Sequence, residues 1–255
     1  MVVQMARNLI LFAPRSGSMF LNDIIRHKSG NESIGEPWIL EKGQQNISVM
    51  YGQARNELNL LKLHEYHSEH HRREQHLLST DNWIAKLNVF AVSAHSMEFV
   101  DRCVADLNTT VWLTHRLNIT EQFLSYINAL YRQQGLNEKP YGFTYRAKDI
   151  ITKYDIIDWS AGKVTEALVI YLQLISHWQH VYNRYRGSVN LVSYEKHIKP
   201  MNLTQFGFTT EDVNNYNASE NHLIPTPHNI CKFKNDSIWP FCVDILNKHK
   251  YLVEI

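Results

Sequence analysis

NLILFAPRSGSMFLNDII, Asn8 to Ile25, decides how the rest of the chain is read. Leu9, Ile10, Leu11 and Phe12 form a short apolar run, the pattern of a strand buried on both faces. Ala13–Pro14–Arg15–Ser16–Gly17–Ser18 breaks that run with a proline, a cation, two hydroxyls and a glycine. From Met19 onward, Phe20, Leu21, Ile24 and Ile25 fall at helical spacing. Strand, small-residue loop and helix in this order present backbone N–H groups to an anion at the helix N-terminus. Gly17 has no Cβ, so a phosphate can come close to the backbone. Arg15 adds a planar cation suited to bidentate oxyanion contacts. A Walker A loop requires Lys after its second glycine, and Ser18 follows Gly17 here, so the stretch is not one. The plainer reading is a strand–turn–helix with a solvated arginine.

Outward from this stretch, residues 29–37 read as a loop, with Glu36 held extended by Pro37. Residues 52–79 are polar and helical in pattern. His64, His67 and His71 share one face there, and a solvated face is preferred to a metal site because no Glu completes a hydrolase motif. Trp83–Leu87 is a second core strand. Its Lys86 is costly in an apolar strand unless its ammonium reaches an anion or solvent. Ser96–Leu107 is a helix with Phe99, Val100, Cys103 and Leu107 on one stripe, and Thr110–Thr114 is a third strand. Asn118 with Glu121 marks the start of a further helix that Gly135 ends. Tyr141–Tyr145 either lines an acceptor pocket or packs as a loop.

Ala161–Tyr185 is the longest helix, with Val164, Leu168, Tyr171, Leu172, Ile175, Trp178, Tyr182 and Tyr185 on one side. Val189–Tyr194 is a fourth strand. The chain from Asn202 reads as irregular until a closing helix at Ile238–His249. Strands separated by helices predict an α/β fold, a parallel sheet covered on both faces, in one domain spanning 1–255. Arg15, Lys86, Arg116 and Tyr194 fall at or near strand carboxyl ends, where such sheets bind ligands.

Bulk composition bounds the function. The chain has 255 residues, is 44% hydrophobic and carries a net charge of +1. That is a globular composition with no bulk attraction to nucleic acid or anionic membrane. Cys103, Cys231 and Cys242 are too few and too widely spaced for a disulfide scaffold or a zinc site. No apolar run is long enough for a membrane span, and the expected location is cytoplasmic.

P-R-S-G-S at 14–18 resembles the 5′-phosphosulfate loop of sulfotransferases that use 3′-phosphoadenosine 5′-phosphosulfate (PAPS). The Arg form is similar to the bacterial glycolipid and carbohydrate branch, of the trehalose type. RLNITEQFLS resembles that family's 3′-phosphate element, with Arg116 at a strand end and Ser125 on the next helix. Glu36 in IGEPW resembles the branch's Glu-Pro, Lys86 in WIAKL its strand lysine, and VSYEKHI its tyrosine–glutamate strand end.

The resemblance implies a P-loop NTPase-like sheet and sulfuryl transfer from PAPS to a hydroxyl or amine of a carbohydrate or small molecule. The product is 3′,5′-ADP (PAP), and no metal takes part. In that picture Arg15 and the N–H groups of Ser16, Gly17, Ser18 and Met19 hold the 5′-phosphosulfate, with Ser18 donating to the same oxygens. Lys86 neutralises the transferred group, and Arg116 and Ser125 grip the 3′-phosphate. Phe20 or Tyr194 stacks on adenine. Glu36 is the base, and His95 in VSAHS is the alternative.

Three features depart from the family. The loop ends in Ser-Met-Phe, and Asn88 stands where the cytosolic branch has its histidine. A C-terminal Arg-Lys-Gly loop is replaced at best by Lys232 and Lys234 around Phe233. Two rival readings are a nucleotide phosphotransferase on a P-loop-like fold and a catalytically inactive nucleotide-binding module.

Overall fold

The structure is a computed structural model and describes residues 7–35, 60–135, 155–218, 231–233 and 237–254. Side-chain alternation in the central strands sets its layers. In β1 (Arg7–Phe12), Leu9 and Leu11 enter one core and Ile10 enters another. The helix α1 (Ser18–Ser29) packs Phe20, Leu21, Ile24 and Ile25 on the Ile10 face. Next come β2 (Glu32–Gly35), α2 (Leu60–Ser79) and β3 (Trp83–Asn88). β3 sends Ala85 and Leu87 to the Leu9 face and Ile84 to the other. A helical turn (Val89–Ala91) and a π-helical turn (Val92–Ser96) then lead into α3 (Met97–Ala105).

β4 (Thr109–His115) alternates in the same way, with Val111 and Leu113 opposite Trp112. The chain continues through α4 (Ile119–Gly135), β5 (Asp155–Ile157), α5 (Ala161–Tyr185) and β6 (Asn190–Ser193). It ends with α6 (Thr210–Ala218), β7 (Cys231–Phe233) and α7 (Ile238–Lys248). Five strands form one sheet in the order β2-β3-β1-β4-β6, and β5 pairs with β7. Every pairing is parallel. α3, α4, α5 and α7 cover one face of the larger sheet, and α1 and α6 cover the other. No described helix is long and apolar enough to cross a membrane.

The register of the three central strands is fixed at their amino ends. Arg7 donates from Nη2 to Asp81 at 2.7 Å and from Nη1 to Asp106 at 3.1 Å. Asp81 stands just before β3 and Asp106 just before β4, so one guanidinium holds all three strand starts level.

Three expectations need correction. Within 29–37, Glu32–Gly35 is an edge strand rather than loop. It carries little apolar signal of its own, and its order comes from pairing with β3 and from Ser33 donating to Asn22 Oδ1 at 2.8 Å. Leu107 is not on a buried stripe but 101% exposed, because α3 stops at Ala105 and Asp106 turns the chain extended. The supposedly irregular tail contains α6, opened by a reciprocal cap: Asp212 N–H donates to Thr209 Oγ1 at 3.0 Å and Thr209 N–H to Asp212 Oδ2 at 2.7 Å. The short strands β5 and β7 were legible in neither place, being three residues each.

Candidate functional site

β1 lies between β3 and β4, while the chain leaves β1 toward β2 on one side and leaves β3 toward β4 on the other. The strand order therefore reverses at β1, and sheets of this kind bind ligands beyond the carboxyl ends of the strands at such a point. The loop 13–17 stands at that end of β1, fastened from beneath. Ser16 is buried; its hydroxyl donates to Ala13 O at 2.7 Å and lies 2.6 Å from Thr114 Oγ1. Gln122 Nε2 donates to Pro14 O at 2.7 Å, and Tyr171 OH donates to Gln122 Oε1 at 3.1 Å. Trp178 Nε1 donates to Thr114 O at 2.9 Å. α4 and α5 thus hold the loop through side chains that point inward, and Ser16 can offer a ligand only its backbone.

Gly17 has φ 88° and Arg15 has φ 64°, both in the left-handed region. For Gly17 crowding adds to the backbone requirement. A Cβ there would come within 2.5 Å of Ile198 Cδ1 and 3.0 Å of Tyr194 Cδ2. Gly17 is the N-cap of α1, supplies no side-chain acceptor, and the first turn holds no acidic residue. The positive end of the helix dipole is left without a carboxylate of its own.

Arg15 reaches across to α4, where its Nε donates to Ser125 Oγ at 2.9 Å. Arg116, at the end of β4, is 4% exposed, and its guanidinium lies 4.3 Å from the centre of the Tyr194 ring. Its Nη2 donates to Glu121 Oε2 at 2.9 Å. Its Nε lies 3.5 Å from Glu195 Oε1 and makes no hydrogen bond. Glu195 in turn accepts from Leu117 N–H at 2.8 Å and Asn118 N–H at 3.1 Å. Tyr194 is 5% exposed and its hydroxyl has no partner. Burial raises the pKa of that phenol against the opposing charges of Arg116 and Arg15, so it stays protonated and able to donate.

His115, the last residue of β4, is buried and stacks on Trp178 at 5.4 Å. Burial, with Lys196 and His197 nearby, pushes its pKa down to about 4, so the ring is neutral. On the β3 side, Lys86 is buried with Nζ 2.8 Å from Met19 Sδ and 5.2 Å from the centre of the Phe12 ring.

These contacts bring Arg15 to Ser125, Gly17 to Tyr194, Tyr194 to Arg116, and Lys86 to Met19 around the carboxyl end of β1. Compared with known proteins, the chain matches no family model, no curated protein and no solved structure.

Phe20 does not join these residues. It is buried against the sheet, edge-on to Tyr216 with centroids 5.5 Å apart, so α1 packing claims the ring and removes it as an adenine platform. Asn88 caps the turn after β3, accepting from Phe90 N–H at 3.0 Å. Phe233 is a core residue stacked on Trp239 at 5.3 Å, and Lys232 belongs to β7. Glu36, Lys234 and Tyr141–Tyr145 lie outside the described residues, and His95 falls within the π-helical turn before α3.

Sequence reasoning missed the closure of Gly17 by Ile198 and the clamp of Glu195. Both sit in VSYEKHI, and the signal was a polar–apolar run directly after a strand. A second polar cluster has hydrolase-like order: Ser96 Oγ lies 3.3 Å from His70 Nε2, and His70 Nδ1 lies 3.1 Å from Glu74 Oε1. All three residues are buried. Among the described residues no group of His, Cys, Asp and Glu is placed to hold a metal ion.

Proposed function

We propose that the chain is a PAPS-dependent sulfotransferase on a P-loop-like α/β fold. It would transfer the sulfuryl group to a hydroxyl or amine of a carbohydrate or small-molecule acceptor. The observation that carries the reading is the buried cation Arg116, with an unbonded Nε, stacked on the unpartnered phenol Tyr194 beside the acid-free first turn of α1. Buried polar groups without partners are rare, and a nucleotide bound here would offer an acceptor to the Tyr194 hydroxyl and an anion to the guanidinium. A parallel sheet with β1 central and a glycine loop leading into α1 supports the P-loop-like assignment.

In this reading Arg15 and the N–H groups of Gly17, Ser18 and Met19 stabilise the charge that builds on the leaving 5′-phosphate as its S–O bond breaks. Ser18 donates to the same oxygens. Lys86 moves from Met19 Sδ to the sulfuryl oxygens. Arg116 and Ser125 hold the 3′-phosphate and Tyr194 faces the nucleoside. The acceptor oxygen forms its bond to sulfur in line as its proton passes to Glu36, or to His95 in the alternative. Catalysis is then positioning plus electrostatic stabilisation, as in phosphoryl transfer.

The contact of Lys86 with Met19 favours one second reading, a nucleotide-binding module without transfer activity. Thermal unfolding with 3′,5′-ADP and with Mg-ATP, followed by turnover of PAPS over an acceptor panel, separates the cases. Stabilisation by 3′,5′-ADP together with turnover is expected. Stabilisation without turnover leaves the module, and stabilisation by Mg-ATP alone points to a phosphotransferase. Glu36→Gln should keep 3′,5′-ADP affinity and lose most transfer, and unchanged turnover would remove Glu36 from the mechanism.

A further inference from the structure

We propose that His197 is a positioning residue for the candidate site: its neutral ring closes the turn that carries Tyr194, Glu195 and Ile198, and its protonation loosens that turn and weakens ligand binding. The inference rests on the nucleotide reading above for its ligand, and adds to it a residue that acts from outside the site and a response to pH.

The turn Tyr194–Ile198 directly follows β6 and is π-helical, with Lys199 N–H donating to Tyr194 O at 2.7 Å. Three of its side chains reach the candidate site. Tyr194 lies on the Arg116 guanidinium, Glu195 accepts from Leu117 N–H and Asn118 N–H, and Ile198 crowds the place a Cβ on Gly17 would take. The N-cap is Ser193, whose Oγ accepts from Lys196 N–H at 3.3 Å. The return half of the cap comes from His197, whose Nδ1 accepts from Ser193 N–H at 2.9 Å. In an α-helix a Glu or Gln three residues after the cap makes that return contact. Here it comes from one residue further on, within the wider π-helical turn, and from a histidine.

That replacement makes the cap titratable. A glutamine accepts at any working pH, but Nδ1 accepts only while it carries no proton. The proton of the neutral ring is then on Nε2, which lies 3.1 Å from the Gln205 side-chain amide and donates to its oxygen in the amide orientation that this tautomer requires. Protonating Nδ1 sets N–H against N–H and leaves the backbone donor of Ser193, a buried residue, without its acceptor. Phe206 packs edge-on against the ring at 5.0 Å, from the turn Thr204–Phe206, whose three side chains do not titrate. The titratable neighbours are Lys196 on the same turn and His115 at the end of β4. Burial, and then Lys196, lower the pKa of His197 below the usual histidine range. The cap is therefore complete above about pH 6.5 and is lost as pH falls through the lower folded value.

The test follows wild type and His197→Asn from pH 8 to pH 5 with two readouts. Asn places an acceptor oxygen near the position of Nδ1 and does not titrate. Isothermal titration with 3′,5′-ADP should show the ratio of wild-type to variant Kd rising about three- to tenfold over that range. Titration of the nucleotide phosphates and of His115 is common to both proteins and cancels in the ratio. Hydrogen exchange at the Ser193 amide, followed without nucleotide, should show wild type losing protection relative to the variant by a similar factor. If His197→Asn does not fold, His197→Gln takes its place, since it can reach the same donor without titrating. A Kd ratio that stays constant while Ser193 protection changes overturns the positioning role. Protection that falls in parallel in the two proteins overturns the titratable cap itself. Wild type that binds no 3′,5′-ADP at pH 8 overturns the nucleotide reading, and the exchange measurement still decides the cap.

Discussion

Replacing Gly17 by alanine tests whether the loop and the Arg116–Tyr194 stack form one unit. The backbone there sits at φ 88°, which costs an L-residue about 1–2 kcal/mol. The new Cβ would also meet Ile198 Cδ1 at 2.5 Å and Tyr194 Cδ2 at 3.0 Å. Ile198 can answer by leaving its rotamer, at about 0.5–1.5 kcal/mol. The two contributions together predict a loss of about 1.5–3.5 kcal/mol.

Gly30 supplies the control. Its φ is 70°, yet nothing lies within 4 Å of a Cβ built on it, so Gly30→Ala should lose only the backbone part, about 1–2 kcal/mol. Urea unfolding of both variants reads the difference, and 3′,5′-ADP titration reads the coupling. If Tyr194 is pushed, Gly17→Ala weakens the ligand and Gly30→Ala does not. Equal losses of stability for the two variants, with ligand affinity unchanged in both, would refute the claim that Gly17 is pressed against the stack.

Three further outcomes are expected. Because the folded-state pKa of His115 is depressed from 6.5 to about 4, its contribution to stability is full above pH 6.5 and is lost as pH falls toward 4. Chemical unfolding across that window should show His115→Phe sparing about 3 kcal/mol of the loss seen in wild type. Leu107→Lys should change stability by less than about 0.5 kcal/mol, whereas Leu113→Ala should cost about 2–5 kcal/mol. Calorimetry separates the two. Burial pushes the Cys103 thiol up to about 12 and the Cys242 thiol to about 11, so in Cys231→Ser protein neither should react with a thiol reagent at pH 8 until the chain unfolds.

The central sheet was readable because its strands are apolar on both faces and each is followed by a break. β1, β3, β4 and the 25-residue α5 all emerge within a residue or two of the bounds that periodicity gives. What failed depends on partners far away in sequence. β2 becomes a strand only because β3 offers it an edge, and Leu107 joins no core because the helix before it ends early. α6 was recoverable, since Thr209 and Asp212 form a cap three residues apart, but its amphipathic face is narrow.

In the candidate site, the family resemblance singled out Arg15, Arg116, Ser125 and Tyr194, and the fold puts Arg15 against Ser125 and Arg116 against Tyr194. The sequence could not show that Ser16 turns inward, which depends on Thr114 of the neighbouring strand, nor that Phe20 is spent on packing, which depends on which side of α1 meets the sheet. Glu195 was visible only as the residue after Tyr194. Its grip on Leu117 and Asn118 joins positions separated by 78 and 77 residues, a distance at which local pattern carries nothing.

The clasp of Arg7 by Asp81 and Asp106 has a bearing on chemistry at the opposite rim. Parallel strands tolerate sliding by two residues without exchanging faces, and each such slide would move a strand tip by about 7 Å. Lys86 and Arg116 ride on strands that the hydrophobic pattern alone would let drift. By nailing the three bases together, one surface guanidinium sets the height at which two distant cations emerge, so an apparently ornamental ion pair at the foot of the molecule works as the gauge for its working end.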